Sequence, residues 1–208
     1  MKRFRFTLLA VCLVLLYLGW NDASLYLRNR APLAVTIGAL EKGDTPREWL
    51  RISGGTLIMD EAISTSGSIE LDALLVPLKA DPATPGFRVL VETRDPALLD
   101  FFQTYHFKLD SALAKERFHA EHQQEFRVQR DIIGTQITGM IASGNRDKLT
   151  TLAKDLGIQV SDNVMLLSEG NQPPTYRGFL FLAIGILGLG KLLLRWPKNE
   201  SPEAVSDN

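Results

Sequence analysis

The sequence predicts a membrane-anchored α+β protein. One extracytoplasmic domain of five to seven strands and two or three helices is held between two transmembrane helices, with a small, partly open barrel of the OB type as one candidate form. Three observations carry this reading. Apolar blocks almost free of charge stand near both ends of the chain, the first half of the intervening sequence alternates with the period of strands, and the second half shifts toward helix starts and helical spacing. At 208 residues there is room for one domain with its spans rather than for two domains.

Phe6 to Trp20 contains no charge, follows Lys2, Arg3 and Arg5, and carries Tyr17 and Trp20 at its far end. Gly178 to Leu194 contains one charge, Lys191, and lies between Tyr176-Arg177 and Arg195-Trp196-Lys198. A spanning helix needs roughly 17–25 mostly apolar residues. The second block meets this if Lys191 snorkels to the headgroups; the first meets it by extending from Phe4 and Arg5 through Ala23. A basic start before an apolar core is also the pattern of a signal peptide. Asn21 occupies one of the small positions that a small-x-small cleavage site needs, so an uncleaved anchor is expected.

Basic residues concentrate on the outer flanks of both blocks, whereas the inner flanks hold Arg28, Arg30 and Arg177. Retention of such charges on the cytoplasmic side predicts a multi-pass inner-membrane protein with both termini cytoplasmic. Residues 1–5 are then cytoplasmic, 6–27 the first span and its exit, 28–175 the extracytoplasmic domain, 176–196 the second span, and 197–208 a cytoplasmic tail whose polar composition predicts disorder. The layout alone, one domain between two spans, resembles the Surf-type cytochrome oxidase assembly factors. No residue motif carries that likeness further, and no family is assigned.

Within residues 28–175, Pro32 to Leu40 alternates and reads as a strand, and Trp49–Ser53 and Thr56–Met59 flank Gly54-Gly55, a hairpin or bulge signal. Ser68 to Leu78 reads as a strand that Pro77 ends or places at an edge, and Phe87–Thr93 is the clearest strand of the chain. Asp95-Pro96 marks a helix start. A polar helix over 110–129 follows, then a strand over Ile132–Ala142 in which Gly134 and Gly139 signal bulging or close packing. Asn145 caps a helix whose Leu149, Leu152 and Leu156 share one face, and Val164–Leu167 makes a last short strand.

The domain has 16 Lys and Arg against 20 Asp and Glu, so it lacks the basic footprint of a nucleic-acid binder. The one cysteine, Cys12, lies in the first span, which leaves the domain without a disulfide framework. The stretch KERFHAEHQQEF places His119 and His122 between Glu116 and Glu125. Histidines at i, i+3 miss the i, i+4 spacing of HExxH and HxxEH, and the Glu116-x-x-His119 half-motif has no second half. These four residues are candidates for a metal site, and a charged solvated helix is the expected alternative. No cofactor is expected. Phe101, Phe102, Tyr105 and Phe107 are candidate partner contacts, and Gly185 and Gly188 are candidates for close helix packing in the membrane.

The function expected is a non-catalytic interaction or assembly module for another envelope or membrane protein. The lipid bilayer is the other partner, and an oligomer through the second span is a further expectation. A metal-dependent, membrane-anchored hydrolase using His119 and His122 is the competing expectation.

Overall fold

The computed structural model describes residues 2–43, 47–64, 71–137 and 160–194. The chain divides into two compact units, one formed by its two ends, up to Arg28 and from Pro174, and the other by Asn29–Pro173.

The first unit holds a pair of helices, α1 (Lys2–Arg28) and, last among the described elements, α5 (Arg177–Leu194). Both are long and apolar enough to cross a membrane, over Phe6–Arg28 and Arg177–Leu194. Only 22% of the most apolar stretch of the first and 17% of the second are buried, the reverse of a helix in a soluble core. Glycines let the two backbones approach: a β-carbon on Gly178 would stand 2.5 Å from the Ala23 nitrogen, and one on Gly19 2.7 Å from the Leu182 nitrogen. Asp22 Oδ2 accepts a hydrogen bond from Arg177 Nε at 2.7 Å, and Tyr26 meets Phe179 edge to face.

The second unit contains β1 (Leu33–Thr36), α2 (Ile37–Glu41), β2 (Trp49–Ser53), β3 (Thr56–Ile58), a 3-10 turn (Met59–Glu61), β4 (Ile63–Ser64), β5 (Leu74–Lys79) and β6 (Phe87–Thr93). It continues with α3 (Pro96–Gln103), a π-helical turn (Thr104–Lys108), α4 (Ala112–Glu121), β7 (Arg127–Gln129), β8 (Ile132–Gln136) and β9 (Val160–Glu169). One mixed sheet runs β1-β2-β8-β9-β6-β5-β3-β7, with β4 added beside β5. The β1–β2 and β6–β9 pairs are parallel and the others antiparallel. The molecule is α+β, with nine strands among the described residues where five to seven were expected; this open path differs from the five strands of an OB barrel.

Alternate residues of β2, β3, β5, β6, β8 and β9 meet in one core that includes Leu50, Leu57, Val76, Val91, Ile132 and Leu167, closed by Ile37 and Leu40 of α2 and Leu98 and Phe102 of α3. The intervening residues Leu75, Leu90, Val164 and Leu166 form a second cluster. Strand β5 is therefore buried on both faces along its length, and β6 and β9 are so over Val89–Val91 and Val164–Leu167, which accounts for the apolar runs at those positions. Each fully buried aliphatic side chain here contributes roughly 1.5–3 kcal/mol.

Several expectations are corrected. The run Pro32–Leu40 is a strand only to Thr36, after which Ile37 and Leu40 point into the core at the i, i+3 spacing of a helix. Gly54-Gly55 makes neither a hairpin nor a bulge, since β2 pairs with β1 and β8 while β3 pairs with β5 and β7. Gly54, at φ +73°, turns the chain from one region of the sheet into another. Pro77 sits inside β5 opposite Leu90, at the gap between the part of β5 that pairs with β3 and the part that pairs with β4, where its missing N–H costs no ladder bond. The last strand is ten residues long, because pairing with both β6 and β8 extends it beyond its apolar centre. Gly134 packs against the backbone of Ser168, a close approach between β8 and β9. Gly139 and the helix expected to carry Leu149, Leu152 and Leu156 lie outside the described residues.

Candidate functional site

The histidines and aromatic residues singled out in the sequence converge around α3 and α4. Helix α3 starts where expected: the Asp95 side chain accepts from the Ala97 N–H at 3.0 Å, and Pro96 fills the first helical position. Arg130 donates to Asp95 Oδ2 at 2.7 Å and to Glu169 Oε2 at 2.8 Å, tying this helix start to the end of β9. The Arg130 hydrogen bond holds the Asp95 carboxyl below its ordinary range; partial burial opposes it and the Ala97 N–H adds to it.

The π-helical turn carries the chain out of α3, and Ser111 caps α4 by accepting from the Ala114 N–H at 3.2 Å. Helix α4 stops at Glu121, eight residues short of the expected end, with His122 as its C-terminal cap. The chain then turns through Gln123–Phe126 into β7. That turn brings Phe126 back under the helix. Phe126 is buried, with Phe101 at 4.9 Å and Tyr105 at 5.0 Å edge to face, and with His119 tilted over it at 4.4 Å. Phe118 lies 5.4 Å from Phe101 and stacks on His122 at 4.0 Å. Each such ring pair adds about 0.5–1.5 kcal/mol beyond area burial.

Both histidine side chains are engaged. His119 Nε2 donates to Asp60 Oδ1 at 3.1 Å, and Arg127 pairs with the other oxygen of that carboxylate at 3.2 Å. His122 Nδ1 lies 2.9 Å from the Phe118 carbonyl, which can only accept, so this nitrogen carries the hydrogen. Glu116 and Glu125 are exposed. Among the described residues no three His, Cys, Asp or Glu side chains gather closely enough to hold a metal ion. The charged helix expected for this stretch is present, shorter than expected and with none of its residues fully buried, and it meets the aromatic cluster through the half-buried Phe118 and His119.

Of the candidate partner contacts, Phe102 is buried against the core and packs on His106, Phe101 and Tyr105 are half-buried in the ring cluster, and Phe107 is exposed. A β-carbon on Gly185 would stand 2.8 Å from the Leu16 side chain and one on Gly188 2.5 Å from Cys12 Sγ, so both face α1 of the same chain. Sequence reasoning missed Asp60 and Arg127, which lie in another turn and another strand. It also missed the inward return of Phe126, because a continuous helix over 110–129 places that ring elsewhere. An open depression of about 630 Å³ beside α2, lined by Thr36, Gly38, Ala39, Lys42 and Gly43, contains none of these residues.

No family model, curated protein or solved structure matches this chain.

Proposed function

We propose that the chain is a two-pass inner-membrane protein whose domain, residues 28–175, lies on the extracytoplasmic side. There it acts as a non-catalytic interaction or assembly module for another envelope or membrane protein. The membrane part of this reading is supported by helices apolar on their outward faces, with Leu13, Tyr17, Leu180, Ile186 and Leu187 all exposed. Retention of α1, as opposed to its cleavage as a signal peptide, is supported by its glycine-mediated packing on α5 and the Asp22–Arg177 pair.

One observation carries the partner-binding part. Among the described residues of Asn29–Pro173, the large apolar side chains left exposed are Phe107 and Leu113, and both flank the link between α3 and α4. The rings behind them hold that link on the core, which gives a partner a rigid apolar anchor point.

Photo-crosslinking residues placed at 107, at 113 and at the exposed position 51 test this in intact membranes. The expected result is one discrete adduct from 107 and 113 that is absent from 51 and is lost on Leu113→Asp when the crosslinker is at 107. No adduct, or the same adducts from all three positions, rejects the assignment. Reporter fusions test the topology: a fusion near residue 100 should be active only with an export-type reporter, and a C-terminal fusion only with a cytoplasmic-type one.

A further inference from the structure

We propose that the hydrocarbon layer of the bilayer ends at the Asp22–Arg177 pair. Trp20, Tyr176 and Arg177 then face the phosphate-bearing lipid headgroups, and the last turn and a half of α1, Ala23–Arg28, stands outside the hydrocarbon. This rests on the membrane reading above and makes it specific. The apolar helix alone does not set this boundary, because α1 is long and apolar enough to span over the whole of Phe6–Arg28.

The position follows from what is level with what. Gly178 abuts Asp22 and Ala23, and Gly19 abuts Gly178 and Leu182, so residues 19–23 of α1 lie beside the first turns of α5. At this level the pair holds its two opposite charges. Asp22 is the single charged residue between Phe6 and Leu27, and it is buried against Gly178 with Arg177 Nε on its carboxylate at 2.7 Å. Arg177 itself remains 63% exposed. An exposed guanidinium in hydrocarbon is costly, whereas at headgroup depth it meets phosphate and water.

The aromatic residues mark the same level. Trp20 is 70% exposed and Tyr176 82%, and each lies within two residues of the ion pair. Amphipathic rings exposed at one depth are the signature of the membrane–water interface. At 1.5 Å per residue, Phe6 to Asn21 rises about 24 Å and Gly178 to Leu194 about 25 Å, a few ångströms short of the roughly 30 Å hydrocarbon core, and α1 makes up the difference at its other end, where the helix already includes Phe4 and Arg5. A boundary at Arg28 would instead draw Asn21, Asp22 and Ser24 into the apolar layer.

The test uses the full-length protein carrying Cys12→Ser, reconstituted in vesicles of phosphatidylcholine and phosphatidylglycerol. Spin labels are attached to single cysteines introduced as Val14→Cys, Leu18→Cys and Leu27→Cys, all at outward positions. Collision rates with oxygen and with a water-soluble nickel complex then report depth whichever way the protein inserts. Positions 14 and 18 should be rich in oxygen collisions and shielded from nickel, and position 27 should react with nickel severalfold more than either. If position 27 is as shielded as 14 while the protein stays membrane-bound, the boundary is wrong and the membrane reading survives. If all three are open to nickel and alkaline carbonate releases the protein, both fall.

Discussion

Lys79 and Glu61 form a partly buried ion pair that joins the end of β5 to the 3-10 turn, with Nζ 2.7 Å from Oε1, the lysine side chain 3% exposed and the glutamate 29% exposed. Lys79 also donates to the Thr84 carbonyl at 3.1 Å, while Glu61 Oε2 is buried with no hydrogen-bond partner. The glutamate thus depends on one cation for its compensation. Lys79→Ala is expected to cost about 1–3 kcal/mol, because it leaves a partly buried carboxylate without its cation. The double change Lys79→Met with Glu61→Leu should recover most of that loss, since apolar replacement of a buried pair is often close to neutral. Urea unfolding of the detergent-solubilised protein measures both, and a double variant no better than Lys79→Ala would show that the pair is not the cause.

Acid should weaken the domain through Asp95. Its carboxyl is held below the ordinary 3.8 chiefly by Arg130, so the folded state binds the proton less readily than the unfolded chain. That contribution is fully present above the unfolded value and is lost as pH falls through the lower folded value. Arg130→Gln should therefore reduce stability at neutral pH and flatten the acid limb, with the gap from the parent closing below 3.8. A gap of constant size across that range would mean that Arg130 acts through packing alone.

These two clusters show what the sequence could and could not reveal. The start of α3 was legible because Asp95-Pro96 acts on neighbours two residues away, and β6 was legible because Phe87, Val89, Leu90 and Val91 make a compact, β-branched apolar run. The short α2 was hidden, since Leu33, Val35 and Ile37 alternate into its first turn before Leu40 sets the helical period. The partners Lys79–Glu61, His119–Asp60 and Arg130–Asp95 are 18, 59 and 35 residues apart. No periodicity links such positions; sheet order brings them together. Local chemistry thus predicted the candidate rings and histidines, and only the fold supplied what each one touches.

His119 and His122 now predict a packing effect. Replacing both with alanine removes the ring contacts to Phe126 and Phe118 and the hydrogen bond to Asp60, a loss of roughly 1–2 kcal/mol. Phe126→Ala, which empties the centre of the cluster, should cost about 3–5 kcal/mol. A chelator should leave the unfolding midpoint of the parent unchanged. If the chelator reproduces the loss seen in the double histidine variant, a bound metal ion is contributing stability and the hydrolase alternative gains its first support.

A second close contact between the two long helices gives the last prediction. Cys12 is buried, and its sulfur occupies the space that a side chain on Gly188 would need, with a β-carbon falling 2.5 Å from Sγ. Gly190, one short step along the same helix, has nothing within 4 Å of its β-carbon position. Leucine at 188 must push α5 away from α1, because the neighbouring contacts of Gly185 with Leu16 leave little room for the helix to rotate instead. Leucine at 190 adds apolar surface without displacing anything. In mild detergent, Gly188→Leu should raise the rate at which N-ethylmaleimide modifies Cys12 severalfold, and Gly190→Leu should leave it at the parent value. Equal rates in all three proteins would place Cys12 away from the helix contact and remove the basis for treating these glycines as the seam of the pair.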